Sequence, residues 1–223
     1  MSAHELPIGH VEPGGPPLRQ QITLEVELVK VSVGEMDNNA YLLTVRDETV
    51  VIDAAAEPQR LLETLGGRPV RTVVTTHRHS DHVAALAAVA EATGARLVCG
   101  EADLAAIEEA TGTTQQPLRD GGVVPLGLGT LDVITLVGHT PGSVALGLRV
   151  VEGPDHLFTG DSLFPGGPGR TQSPEDFASL MEDLESKVFR HYDDDTVVHP
   201  GHGDDTTLGR ERPHLAEWRA RGW

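Results

Sequence analysis

The order of elements along this sequence predicts an α/β fold, with two sheets or one large sheet covered by helices. Two observations carry that expectation. Short β-branched runs recur from Ile22 to His199, and between several of them stand Ala-rich or amphipathic stretches of helical length bounded by proline and glycine. From Pro7 to Pro17 seven of eleven positions are Pro or Gly, so residues 1–21 are expected to form a flexible leader, with His4 and His10 inert, and 22–223 a single domain. Runs at 22–33, 40–46 and 48–53, with Asp47-Glu48 as a hairpin turn, predict an antiparallel meander. A helix follows from Glu57-Pro58, where proline suits the first turn, and it stops at Gly66-Gly67.

The buried strand 71–76 leads into a helix over 82–92 that stops at Gly94, and strand 95–99 and helix 101–110 repeat the alternation. Strands are expected at 131–137, 143–151, 156–159 and 196–199, with an amphipathic helix between Pro174 and Arg190. The tail from Arg210 to Leu215 is expected to make one short helix at most.

Composition narrows the function. The chain of 223 residues is long enough for an enzyme core. It carries 17 Lys plus Arg against 34 Asp plus Glu, a formal net charge of −17, and only 4% aromatic residues. That field repels phosphate backbones and anionic lipid heads, so neither nucleic acid nor membrane is expected as a partner. The single cysteine, Cys99, offers no internal disulfide and no Cys-rich zinc site. The N-terminus lacks the basic start and apolar stretch of a signal peptide, and no apolar run approaches the ~20 residues of a membrane span. A cytoplasmic protein acting on a small molecule is expected, with its oligomeric state left open.

The chemistry concentrates in His77-Arg78-His79-Ser80-Asp81-His82, four potential metal ligands in six positions directly after a buried strand. In extended chain, residues 77 and 79 point the same way. Asp81 and His82 fall where the backbone turns into a helix, so one pair can serve one ion and the other pair a second. Taken singly, Asp81 would be a helix N-cap and each histidine a satisfied core residue. Three further candidates sit beside glycine at predicted strand ends: His139 in Gly-His-Thr-Pro-Gly-Ser, Asp161 in Thr-Gly-Asp-Ser-Leu-Phe, and His202 in Pro-Gly-His-Gly-Asp. Asp53 ends strand 48–53 as a turn carboxylate or a support behind the metal site.

These motifs, in this order and spacing, resemble the metallo-β-lactamase superfamily from about residue 28 to 206. The resemblance implies a four-layer αββα sandwich with a metal site at one edge of its two sheets. It also implies that His77, His79 and His139 hold one ion and Asp81, His82 and His202 a second, with Asp161 bridging. A metal-bridging hydroxide would then be the nucleophile, Asp81 being both ligand and the group that orients it. Imidazole and carboxylate donors without thiolate suit two divalent ions, Zn²⁺ first, with Fe²⁺ or Mn²⁺ as alternatives.

Within the superfamily, Gly160-Asp161-Ser162-Leu163-Phe164 looks most like the glyoxalase II (hydroxyacylglutathione hydrolase) group, which hydrolyses a thioester of a small thiol. About 20 residues follow His202, so the basic helical domain with which that group partly holds glutathione has no counterpart here. The thiol carrier is left open. Two alternatives share the ligand set. An iron-dependent persulfide dioxygenase would hold one iron through His77, His139 and Asp161. Lactonases of this kind place a tyrosine three residues after the bridging aspartate, where this sequence has Phe164. A non-enzymatic metal-stabilised module is a weaker alternative, since seven ligands exceed a closed four-coordinate structural site. Asn38-Asn39-Ala40-Tyr41 is read as turn and strand-start chemistry and Gly166-Gly167-Pro168-Gly169 as a rigid loop. Arg170 is read as structural, Asp193-Asp194-Asp195 as a solvated turn, and His199 as packed beside the last ligand loop.

Overall fold

The computed structural model describes residues 8–222, so His4 lies outside the described residues. The first sheet runs in chain order: β1 (Leu18–Gln21), β2 (Val26–Val33), β3 (Asn38–Val45), β4 (Glu48–Ile52), β5 (Val70–Thr75), β6 (Arg96–Gly100) and β7 (Gln116–Leu118). β1 to β4 pair antiparallel as the predicted meander, and β4 to β7 pair parallel. The switch has a cause in the sequence. Parallel neighbours need a crossover, and α1 (Pro58–Leu65), α2 (Leu86–Thr93) and α3 (Leu104–Thr111) supply the three.

The second sheet holds β8 (Val123–Leu126), β9 (Gly129–Thr135), β10 (Val144–Leu148) and β11 (His156–Gly160) as antiparallel neighbours. A two-stranded hairpin follows, β12 (Leu163–Phe164) with β13 (Gly167–Pro168). The crossover helix α4 (Pro174–Asp183), capped by the Ser173 side chain, then brings β14 (Val197–Pro200) parallel to β11, and β15 (Thr206–Thr207) closes the edge. The tail winds through α5 (Leu208–Glu211) and α6 (Leu215–Arg221).

Alternation along the strands sorts the core into three layers. Val29, Leu42, Val73 and Leu97 face α1, α2 and α3 with Leu61, Leu86 and Ile107. Tyr41, Leu43, Ile52 and Val74 face the other way and meet Leu131, Val133, Leu146 and Phe158 of the second sheet. Leu136, Ala145, Leu157 and Val198 complete the series against Leu180, Met181, Leu184 and Trp218. Three buried layers between four tiers of elements make the αββα sandwich.

Four local expectations are corrected. Residues 8–21 are not a free leader: Leu18–Gln21 pair with β2, Val11 is buried, and Ile8 bridges Asp205. A β-edge with open backbone donors accepts such a strand whatever its side chains. His10 is not inert either, since its ring meets Asp204 at 2.6 Å and Glu12 at 3.1 Å. The helix expected from residue 82 is split into a 3₁₀ turn at Ser80–His82 and α2 from Leu86, so Asp81 caps no helix. The tail makes two α-helical segments joined by a 3₁₀ turn, because Trp218 supplies an apolar anchor that the window 210–215 lacks.

Candidate metal centre

All seven expected ligands converge at one end of the sandwich, at the C-terminal ends of strands from both sheets. The segment after β5 brings His77, His79, Asp81 and His82; the loop between β9 and β10 brings His139, the end of β11 Asp161, and the end of β14 His202. Their donor atoms form three overlapping sets, His77–His79–His139, His77–His82–Asp161 and Asp81–His82–His202, each within 4.8 Å. His77 and His82 are buried and form the floor, while His79, Asp81, His139, Asp161 and His202 are half-buried and form a rim open to solvent.

The groups behind each ring decide which nitrogen faces inward. His82 Nδ1 donates to Asp53 Oδ2 at 2.8 Å, His139 Nδ1 to the Arg170 carbonyl at 2.6 Å, and His202 Nδ1 to the Met36 carbonyl at 2.9 Å. His77 Nδ1 lies 3.0 Å from Thr76 Oγ1, whose own proton goes to Asp53. Each of these rings therefore turns Nε2 into the cluster. Asp53 thus lies behind the His82 ring. It sits at φ 57° and also accepts the Thr76 backbone N–H at 2.7 Å, which ties the end of β4 to the ligand segment.

Inside the cluster the donors crowd one another. His79 Nδ1 lies 2.9 Å from His139 Nε2, and His82 Nε2 lies 3.1 Å from His202 Nε2. Asp161 spans the two: Oδ2 is 3.6 Å from His139 Nε2 and 3.3 Å from His202 Nε2, and Oδ1 is 3.3 Å from His82 Nε2. His77 Nε2 and Asp161 Oδ1 are buried with no hydrogen-bond partner. Buried polar atoms left unpaired within one such donor set fit a cation site, and the donor types suit Zn²⁺, Fe²⁺ or Mn²⁺.

Electrostatics divide the cluster. Burial and the neighbouring His82 charge hold His77 well below the usual imidazole range, and burial with His139 lowers His79. For His82, burial works against the proton but Asp53 and Asp161 outweigh it, and the pKa is pushed up to about 10. His202 is raised against burial by Asp161. Burial pushes the Asp161 carboxyl up, yet His202 and His82 hold it well below the usual carboxylate range. Burial thus favours neutral rings at His77 and His79, while the carboxylates favour at His82 and His202 a proton that a cation would replace.

Several supporting residues carry no local signal in the sequence. Asn38 Nδ2 donates to Asp81 Oδ2 at 2.9 Å, so Asn38 reaches the site rather than serving only a strand start. Asn39 donates to the carbonyls of Pro200 and Gly203, and Tyr41 to that of Pro200. Asp103, fully buried, accepts from the Arg78 and Gly142 backbone N–H groups and from the Thr140 hydroxyl, joining two ligand loops. Asn38 to Tyr41 reads locally only as turn and strand-start chemistry, and nothing near Asp103 marks it. Arg170 lends its carbonyl to His139 while the residue is exposed, and His199 lies behind the site against His156 and Asp205.

A family model of the metallo-β-lactamase superfamily matches residues 33–202. Among similar proteins, the hydroxyacylglutathione hydrolase of Anaeromyxobacter dehalogenans is 34% identical over 168 residues, 74% of this chain and 61% of its own. The chain thus spans about three fifths of that relative. Hydroxyacylglutathione hydrolase GloC of Haemophilus influenzae is 26% identical over 207 residues, 85% of this chain and 95% of its own. Among solved structures, TTHA1623 in a di-iron-bound form is 33% identical with a TM-score of 0.68, over 82% of this chain and 96% of its own. ETHE1 from Myxococcus xanthus is 25% identical with a TM-score of 0.73, over 86% and 84%.

Proposed function

The chain belongs to the metallo-β-lactamase superfamily, and from that premise we propose that it is a metal-dependent hydrolase of thioesters formed by a small thiol. The observation that carries the reading is Asp161, whose two carboxylate oxygens reach the histidines of both halves of the cluster. His77, His79 and His139 would hold one divalent ion and Asp81, His82 and His202 the other, with Asp161 shared. Such ions supply Lewis acidity for a carbonyl oxygen and bring the pKa of water from 15.7 to about 7.

The chain's own residues do the rest. Asp53, Met36 and Arg170 fix the ring orientations, and Asn38 fixes Asp81 through Oδ2, so that Asp81 would serve as ligand and orient the hydroxide. The nucleophile is solvent. Cys99 is fully buried, outside the cluster, with its thiol pushed up to about 12 by burial.

The leaving group separates thioester from lactone. A thiolate, with conjugate pKa ~8.5, departs with little protonation, whereas an alkoxide calls for a positioned acid. Phe164 lies with its ring centroid 6.3 Å from that of His202 and carries no proton to give. Tyr41 is buried with its hydroxyl on the Pro200 carbonyl, and Tyr192 is buried beneath the Arg149 guanidinium, so neither replaces it. Two similar proteins carrying the hydroxyacylglutathione hydrolase name support the same choice.

Metal-loaded protein is expected to hydrolyse acyl thioesters with kcat/KM at least ~10-fold above γ-lactones of matched acyl group, about 1.4 kcal/mol in barrier. It should lose activity on chelation and regain it with metal. Lactone turnover equal to thioester turnover on one preparation would overturn the assignment. The likeness to ETHE1 favours a second reading, an iron-dependent persulfide dioxygenase using His77, His139 and Asp161. One iron per chain with oxygen uptake on glutathione persulfide, and no thioester turnover, would select it.

A further inference from the structure

Among the described residues, one buried cation takes no part in the ligand cluster yet lies behind it. Lys30 projects from β2 into the layer between the sheets and is 1% exposed. An ammonium group has three protons and accepts nothing. Here all three are used: Gly9 carbonyl at 2.9 Å, Gly203 carbonyl at 2.7 Å and Asp205 Oδ1 at 2.7 Å. The other Asp205 oxygen accepts from His199 Nδ1 at 2.9 Å, and His199 Nε2 meets His156 Nδ1 at 2.8 Å.

What those bonds fix is the loop 201–205, which carries His202. Gly203 adopts φ 66°, the left-handed conformation that turns the backbone back after the histidine. Its carbonyl accepts from Lys30 Nζ and from Asn39 Nδ2, while its N–H donates to the Asp37 carbonyl. The loop pairs with other segments only through isolated bridges, Asn38 with His202 and Ile8 with Asp205. Its path is therefore set by β2, β3 and the segment around Ile8, and Lys30 is the one lysine or arginine among these anchors.

We propose that Lys30 is a positioning residue for the His202 half of the metal centre, acting through the Gly203 carbonyl and Asp205. The inference rests on the two-ion reading above. It assigns the lysine more than compensation of the Asp205 charge. Without the ammonium, the Gly203 carbonyl loses its charged donor and the N-terminal segment loses its tie at Gly9, so the His202 loop keeps only neutral hydrogen bonds, among them those to Met36, Asp37 and Asn39. The His77–His79–His139 half, anchored through Asp103 and Arg170, has no bond to Lys30 and should not change.

The test is competitive titration of metal-free full-length protein with Zn²⁺ against a chromophoric chelator. Wild type, Lys30→Met and the double variant Lys30→Met/Asp205→Asn are compared. The single variant leaves Asp205 buried and uncompensated and is expected to lose thermal stability; the double variant removes both charges and keeps a folded chain available. Two binding events are expected in wild type. In both variants one event should weaken at least tenfold while the other stays within threefold. If the double variant regains both stability and two wild-type affinities, Lys30 serves charge balance only and the positioning role is overturned. Equal weakening of both events overturns it too, as a general loosening. A single event in wild type refutes the two-ion reading itself, a failure seen without reference to either variant.

Discussion

His156 shows how a buried side chain outside the ligand set can bear on the acid limit of the molecule. Burial and the neighbouring His199 hold its pKa down to about 4, against 6.5 when free. The unfolded chain therefore binds a proton at this residue more readily than the folded one. The stabilisation is complete above pH 6.5 and is lost as pH falls from about 6.5 to about 4, to a limit of about 3 kcal/mol. Thermal unfolding across that range should show Tm falling more steeply in wild type than in His156→Gln, and parallel slopes would refute the assignment. The seven ligand candidates were legible because four crowd into six positions and three stand beside glycine at predicted strand ends, signals that need no knowledge of the fold. Lys30, Asp103 and Asn38 were not, since each acts on partners brought to it by the tertiary structure. Lys30 reads in the sequence as a lone polar residue in an apolar strand, and its Asp205 partner lies 175 positions away.

At the scale of elements, the loop after β9 owes its path to α4. Gly138, adjacent to His139, has φ 155°, and a Cβ there would stand 2.4 Å from the Asp176 carbonyl oxygen and 2.6 Å from Leu180 Cβ. Only glycine lets the helix lie that close. Gly138→Ala should cost on the order of 2–4 kcal/mol in urea unfolding and loosen metal retention through His139. A loss below 0.5 kcal/mol would show that α4 shifts freely. The long β-branched runs and the Pro-started helices were readable because burial imposes a period on them. The short pieces β7, β12, β13 and β15 were not, because two or three residues carry no period and exist by pairing. The 3₁₀ turn at Ser80–His82 belongs with them: its shape serves the ligand geometry rather than an apolar face.

At the scale of the whole molecule, the centre joins loops that leave both sheets. No helix among the described residues is long and apolar enough to cross a membrane. A ligand present at a thousand times its dissociation constant adds about 4 kcal/mol. For a chain of this size about 2–4 °C accompanies each kcal/mol, so chelation should lower Tm by roughly 8–16 °C. An unchanged Tm with the metal demonstrably gone would mean that the sheets do not depend on the ligand set. The overall architecture was foreseeable from element order, whereas the path of residues 8–21 across the sheet edge was not, since a Pro- and Gly-rich sequence is silent about where it docks. The order in which the ligands occur along the chain also has a consequence in time. His77, His79 and His139 have all left the ribosome when about 60 residues remain before His202, a delay of roughly 3–12 s at ~5–20 residues per second. The first triad is thus complete as polypeptide seconds before His202 completes the second, and an ion captured during that interval meets only one complete triad.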